Sequence, residues 1–215
     1  MLGSFPHNGV RINFSLMGRG PRVLFLQCPG ARGTFWIPQC NALSSSFTCL
    51  RCEYPRDDSW RAAVEALLDH LSWTDFHLVG HGFGSYLALD LAHHHPHNIQ
   101  TLSLLCPTEE PISAKRLLDL ASPSEIERFG EAELQTHLTL LCGPQNICPN
   151  ATLSAKHSES NLPTLLLTTQ HQRRQASGFP NATLVNLPHS SHAAPILAAP
   201  QVAAALKNHL RQTFS

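Results

Sequence analysis

Short apolar runs alternate along this chain with longer stretches whose apolar positions recur every three or four residues. That order predicts a mostly parallel sheet covered by helices. Arg22 to Gln27, bracketed by Gly20-Pro21 and Pro29-Gly30, reads as a strand, and Phe47 to Glu53, stopped by Tyr54-Pro55, as a second. Ser59 is placed as the cap of a helix from Trp60 to Leu71, with Val64, Leu67, Leu68 and Leu71 on one face. A strand Phe76 to Val79 stops at Gly80, and a helix Phe83 to His94 and a strand Thr101 to Cys106 follow. Alternation resumes with strands at Thr164 to Leu167 and Thr183 to Val185, before a closing helix from Gln201 to Arg211.

Residues 107–162 break this rhythm. Ala114 to Ala121, Ser124 to Phe129 and Glu131 to Leu141 are helix-prone and carry no strand pattern, which suits a small helical cap inserted over one end of the sheet. No repeat, low-complexity tract or linker divides the chain, so residues 1–215 read as one domain.

The sharpest local feature lies at the strand-to-helix junction Phe76-His-Leu-Val-Gly80-His81-Gly82-Phe83-Gly84. A strand running through Gly-x-Ser-x-Gly into a helix is the nucleophile elbow of α/β-hydrolases, whose flanking glycines allow strand and helix to approach closely. Both flanking glycines stand here, as Gly80 and Gly84, but the serine position is Gly82. A dinucleotide fingerprint is the rival reading. It fails on spacing, and no acid ends the next strand about twenty residues on.

The hydrolase triad runs in the order serine, acid, histidine. His192, after the last strand, matches the histidine position. The acid belongs after the strand at Thr164, yet residues 168–174 contain none and no Asp or Glu follows Glu159. Two of the three triad members are therefore missing. Removing a serine nucleophile costs on the order of 10⁶ in turnover in a well-studied protease. Backbone donors survive such a loss: the amide of Phe83 and those of the Gly30-Ala31 loop suit an oxyanion-hole-like anion site. A relocated nucleophile, Cys106 with His192 and Glu109, is the alternative that chemistry allows. Ser85, one residue past the second elbow glycine, is expected on the helix flank against the sheet.

Tyr54-Pro55, Leu67-Leu-Asp-His-Leu71 running on to Phe76-His-Leu-Val-Gly80, Leu102-Ser-Leu-Leu-Cys106 and Leu138-Thr-Leu-Leu-Cys142 together resemble the maspardin type of α/β-hydrolase-fold protein, over roughly Leu16 to Phe214. The resemblance implies a catalytically inactive, cytoplasmic, endosome-associated protein that binds other proteins. The chain departs from maspardins in its shorter ends, in Gly82 where they keep a serine, and in His192 where they do not keep the histidine.

Charge narrows the partner class. Fifteen basic and fifteen acidic residues balance, which argues against nucleic acid or an anionic membrane as partner. The distribution is uneven: residues 1–52 hold five Arg and no acid, while all fifteen carboxylates lie within 53–159. The cap would thus show an acidic face (Glu125, Glu127, Glu131) with an apolar stripe (Leu117, Leu118, Ile126, Phe129) to a basic protein partner. No apolar run approaches the ~20 residues of a membrane span, and the first thirty residues lack a signal core. Seven cysteines then read as reduced thiols.

No metal or cofactor is expected. Cys49 and Cys52 lie three apart on a strand, so they point to opposite faces. The run His93-His94-His95-Pro96-His97 reads as a solvated helix end favoured by the macrodipole. Beside the adaptor reading stand a weak, serine-independent esterase and a small-molecule binder using the vacant pocket.

Overall fold

The computed structural model describes residues 1–28, 31–107, 115, 118, 123–142, 162–168, 179, 182–187 and 193–212. Eight strands form one sheet in the order β1-β2-β4-β3-β5-β6-β7-β8, with β2 antiparallel to both β1 and β4 and all other neighbours parallel. The strands are β1 (Leu2–His7), β2 (Val10–Gly18), β3 (Arg22–Leu26), β4 (Thr48–Cys52), β5 (Phe76–His81), β6 (Ile99–Leu105), β7 (Thr164–Thr168) and β8 (Thr183–Asn186). The helices are α1 (Ile37–Leu43), α2 (Trp60–His70), α3 (Phe83–His94), α4 (Pro123–Phe129), α5 (Glu131–Cys142), α6 (Ala194–Leu197) and α7 (Ala199–Arg211), with a 3-10 turn at Gly33–Trp36. This is the mostly parallel, helix-covered sheet that the alternation predicts.

Two packed layers flank the sheet. Leu24, Leu26, Leu50, Leu78, Leu102 and Leu104 point to the α2 and α3 side, while Val23, Phe25, Cys49, Val79, Leu105 and Leu167 point to α1 and α7. The central strands β3 and β5 are buried on both faces, so they read in the sequence as continuous apolar runs rather than alternating ones. The closing helix α7 buries Val202, Ala203, Leu206, His209 and Leu210 along one stripe.

Three sequence expectations need correction. Residues 1–21, which the hydrophobic pattern leaves unassigned, include the hairpin β1–β2. Its turn is Asn8-Gly9 with φ of 46° and 79°, and Asn-Gly is a strong short hairpin signal. Strand β5 runs through Gly80 to His81, two residues past Val79, where the strand was expected to end. Ser59 does stand at the start of α2, but no side-chain bond caps the helix; its N–H and hydroxyl both donate to the carboxylate of Asp57 instead.

The helices α4 and α5 attach to the sheet through a buried Leu134, with Leu118 and Ile126 half-buried against the same layer. Half of the expected apolar stripe is thus turned inward. Glu127, Arg128, Glu131 and Glu133 remain exposed, while the side chains of Leu117, Glu125 and Phe129 lie outside the described residues.

Candidate functional site

At the carboxyl end of β5 the chain turns through Gly82 and enters α3 at once. Gly82 has φ 58° and ψ −127°, outside the regions that residues with a Cβ adopt comfortably. Its N–H donates to Leu105 O on β6 (2.9 Å), and its carbonyl accepts from the N–H of Ser85 (3.0 Å), so the turn is pinned to the neighbouring strand and to the first helical turn.

The flanking glycines have a steric reason that can be read off directly. A Cβ on Gly80 would lie 2.5 Å from Gly84 O and 2.6 Å from Ser85 Cα. One on Gly84 would lie 2.6 Å from Leu26 O and 2.7 Å from the Gln27 carbonyl carbon. The strand–turn–helix unit closes only because both positions are bare. At these two positions β5, the turn and α3 approach backbone to backbone.

What the elbow presents is backbone. As the first residue of α3, Phe83 has an amide without an acceptor inside the helix, and its ring is buried. Ala31 departs from expectation: its N–H donates to Cys28 O (2.9 Å). Gly30, the other expected donor of that loop, lies outside the described residues. His81, fully buried, stands edge-on to the rings of Phe35 and Trp36 at centroid distances of 5.3 and 6.1 Å. Those two rings come from the 3-10 turn, which no sequence signal singled out.

The alternative nucleophiles occupy packed positions. Ser85 is fully buried and its hydroxyl donates to Leu105 O (3.3 Å), on the helix flank against the sheet as expected. Cys106 follows β6, donates its backbone N–H to Leu167 O (2.8 Å) and is fully buried on the α1 and α7 side with Leu167, Ala193 and Ala194. Its φ of 45° is unusual for a residue with a Cβ. His192, Glu109 and residues 169–174 of the expected acid loop lie outside the described residues. Thr168, where that loop begins, is buried with its hydroxyl on Asn186 Oδ1 (3.4 Å).

The remaining candidates resolve by face. Cys49 points into the α1 and α7 layer and Cys52 into the α2 and α3 layer, so they grip nothing jointly. Burial, with Glu53 nearby, pushes the Cys52 thiol up to about 12, and a hydrogen bond with Cys40 together with burial pushes Cys49 upward. Among the described residues, no three His, Cys, Asp or Glu side chains converge on a possible metal position. The histidines at the end of α3 tie it to α2: His95 Nε2 bonds Glu65 Oε1 (2.7 Å), and Arg61 pairs with Asp90 (2.8 Å) beside His94.

Replacing Gly82 by Ser tests the elbow directly. The added Cβ must sit at φ 58°, so Gly82→Ser is expected to lower unfolding free energy by ~1–3 kcal/mol in urea titrations. An unchanged midpoint would show that the turn relaxes at no cost.

Residues 29–144 match the family model described as alpha/beta hydrolase fold. None of the curated proteins searched matches the chain. Among solved structures, it is similar to the enol-lactonase from Burkholderia xenovorans LB400, at 17% identity and TM-score 0.72 over 98% of this chain and 100% of that one. It is similar also to Est816, described as an N-acyl homoserine lactone degrading enzyme, at 17% identity and TM-score 0.77 over 96% and 99%. A third is a thermophilic esterase from Thermogutta terrifontis, at 17% identity and TM-score 0.72 over 100% of both chains. At such identities the likeness is one of fold.

Proposed function

The chain belongs to the α/β-hydrolase-fold family, and on that premise we propose that it is a non-hydrolysing member acting as a protein-binding adaptor of the maspardin kind. One observation carries the reading. The elbow keeps its conformation and both steric glycines, yet the residue that should bear the nucleophile is Gly82. Gly has no atom able to attack a carbonyl, and no carboxylate after Glu159 is present to orient His192. What persists is a rigid scaffold with a backbone amide at Phe83 and a helical segment bearing exposed acids, which we assign as the cap over residues 107–162. Basic protein partners fit that surface, and salt should slow their association. The cytoplasm, with endosomal association through such partners, is the compartment this reading implies. Among the described residues no helix is long and apolar enough to cross a membrane.

Hydrolysis of activated short-chain esters tests it. The purified protein is expected to turn over no faster than a His192→Ala control, and a serine- and cysteine-directed electrophile should label neither protein stoichiometrically. Turnover well above that control, abolished by Cys106→Ala or His192→Ala, would sink the adaptor reading in favour of a relocated nucleophile. For binding, reversing Glu127, Glu131 and Glu133 to Lys should weaken partner association while the unfolding midpoint holds.

A further inference from the structure

Strand β1 is the outermost strand of the sheet, and its open edge carries a defined set of donors and acceptors. Met1 and Leu16 exchange both backbone bonds: the Met1 nitrogen donates to Leu16 O (2.6 Å), and the Leu16 N–H donates to Met1 O (2.9 Å). In an antiparallel ladder such bonded pairs alternate with non-bonded ones. The register from Leu2↔Ser15 to His7↔Val10 therefore turns the backbone groups of Gly3, Phe5 and His7 towards β2, and those of Leu2, Ser4 and Pro6 outward. Pro6 offers a carbonyl there but no N–H.

Side chains sort with the same parity. Phe5, Ile12 and Phe14 pack on the α2 side of the sheet, while Leu2 lies on the other face and is 85% exposed. Met1 is 73% exposed and Val10 is exposed as well, so the hairpin bears most of the large apolar side chains left in solvent among the described residues. Edge strands are commonly guarded by charged side chains, yet Leu2–His7 contains no Asp, Glu, Lys or Arg.

We propose that β1 pairs with β1 of a second copy, joining two sheets edge to edge about a two-fold axis. An axis normal to the sheet makes the two strands antiparallel. Pro6 then selects the register. Centring the axis on Ser4 would set each Pro6 ring against Leu2 O of the other copy, where a donor is needed. Centring it on Gly3 sets Leu2 opposite Ser4, and each such pair exchanges both N–H···O bonds with Pro6 left aside. In that register Met1 faces the half-buried Phe5 of the second copy, and the two Leu2 side chains meet diagonally, within reach of one another. The uncharged edge suits a copy of itself, since no like charges meet across it. Arg11, on β2, bonds Ser4 Oγ (3.2 Å) and lies opposite Pro6, at the end away from the axis. An edge of six residues buries less than the ~1,200 Å² of a standard interface, so the dimer is weak, with a Kd on the order of 100 µM. Neither the elbow nor the helices α4 and α5 take part, so the pairing stands whether or not the chain hydrolyses esters.

Sedimentation velocity of the full chain over a concentration series is the test. A reversible dimer should appear in the range of that Kd. Ser4→Pro removes an outward donor only: Ser4 and Asn13 form a non-bonded pair, so the hairpin keeps its ladder, as Pro6 shows at the next outward position. It should weaken dimerisation at least tenfold while the urea midpoint holds. Leu2→Lys, at a solvated side chain, should do the same and keeps the test decisive if Ser4→Pro does not fold. Raising NaCl from about 0.1 M to about 0.5 M should change the Kd by no more than about twofold, because no ion pair is involved. A chain that stays monomeric at about 500 µM would overturn the assignment, as would a dimer retained by either folded variant. So would a dimer that salt dissolves, which would place the contact between the Arg-rich N-terminal stretch and the exposed acids of α4 and α5.

Discussion

Gly84→Ala is expected to be among the most damaging single substitutions available in this chain, costing about 3 kcal/mol or more. The new Cβ would meet Leu26 O at 2.6 Å and the Gln27 carbonyl carbon at 2.7 Å, both backbone atoms of a central strand. A flexible side chain can step aside; the middle of a parallel sheet cannot. Gly80→Ala should behave alike, because its Cβ would press on Gly84 O and Ser85 Cα. Gly9→Ala provides the contrast: φ is 79° but nothing lies within 4 Å, so only backbone strain of about 1 kcal/mol applies. Urea unfolding of the three variants separates the two causes. Equal losses for Gly84→Ala and Gly9→Ala would mean that the strand and helix are not in contact at the elbow.

The second large effect is acid destabilisation centred on His77. This ring is 1% exposed and bonds Thr101 Oγ1 (2.9 Å) through Nδ1, beneath α7. Burial first, then the nearby His209, pushes its pKa down to about 4, against a smaller upward pull from Asp75. The folded chain therefore refuses a proton that the unfolded chain takes up near pH 6.5. Stability is complete above that pH, falls as pH drops below it, and reaches its full penalty near pH 4. The expected loss from this ring is about 3 kcal/mol. His209, on α7, is lowered by burial too, against a smaller upward pull from the nearby Pro163 and Leu102 backbone and the Gln212 side chain, and it adds in the same direction. In urea titrations at pH 7 and pH 4.5, His77→Gln should lose markedly less stability than the parent chain. Parallel losses would mean that His77 titrates in solvent.

Much of this protein was legible before any coordinates. Strands β3 to β8 and helices α2, α3 and α7 follow from apolar periodicity, because each has a face that must be buried. The elbow was readable from Gly80 and Gly84 because close approach admits no Cβ, and the missing nucleophile is a plain matter of composition at Gly82. The opposite facing of Cys49 and Cys52 follows from strand geometry alone. Other features belong to tertiary structure. The hairpin β1–β2 is an edge element with only one side packed, so its apolar content is low and only Asn8-Gly9 announces it. The burial of Phe35, Trp36 and His81 around one another joins segments far apart in sequence. His77 offers no sign of its depressed pKa in the sequence, since desolvation depends on which helix covers the strand.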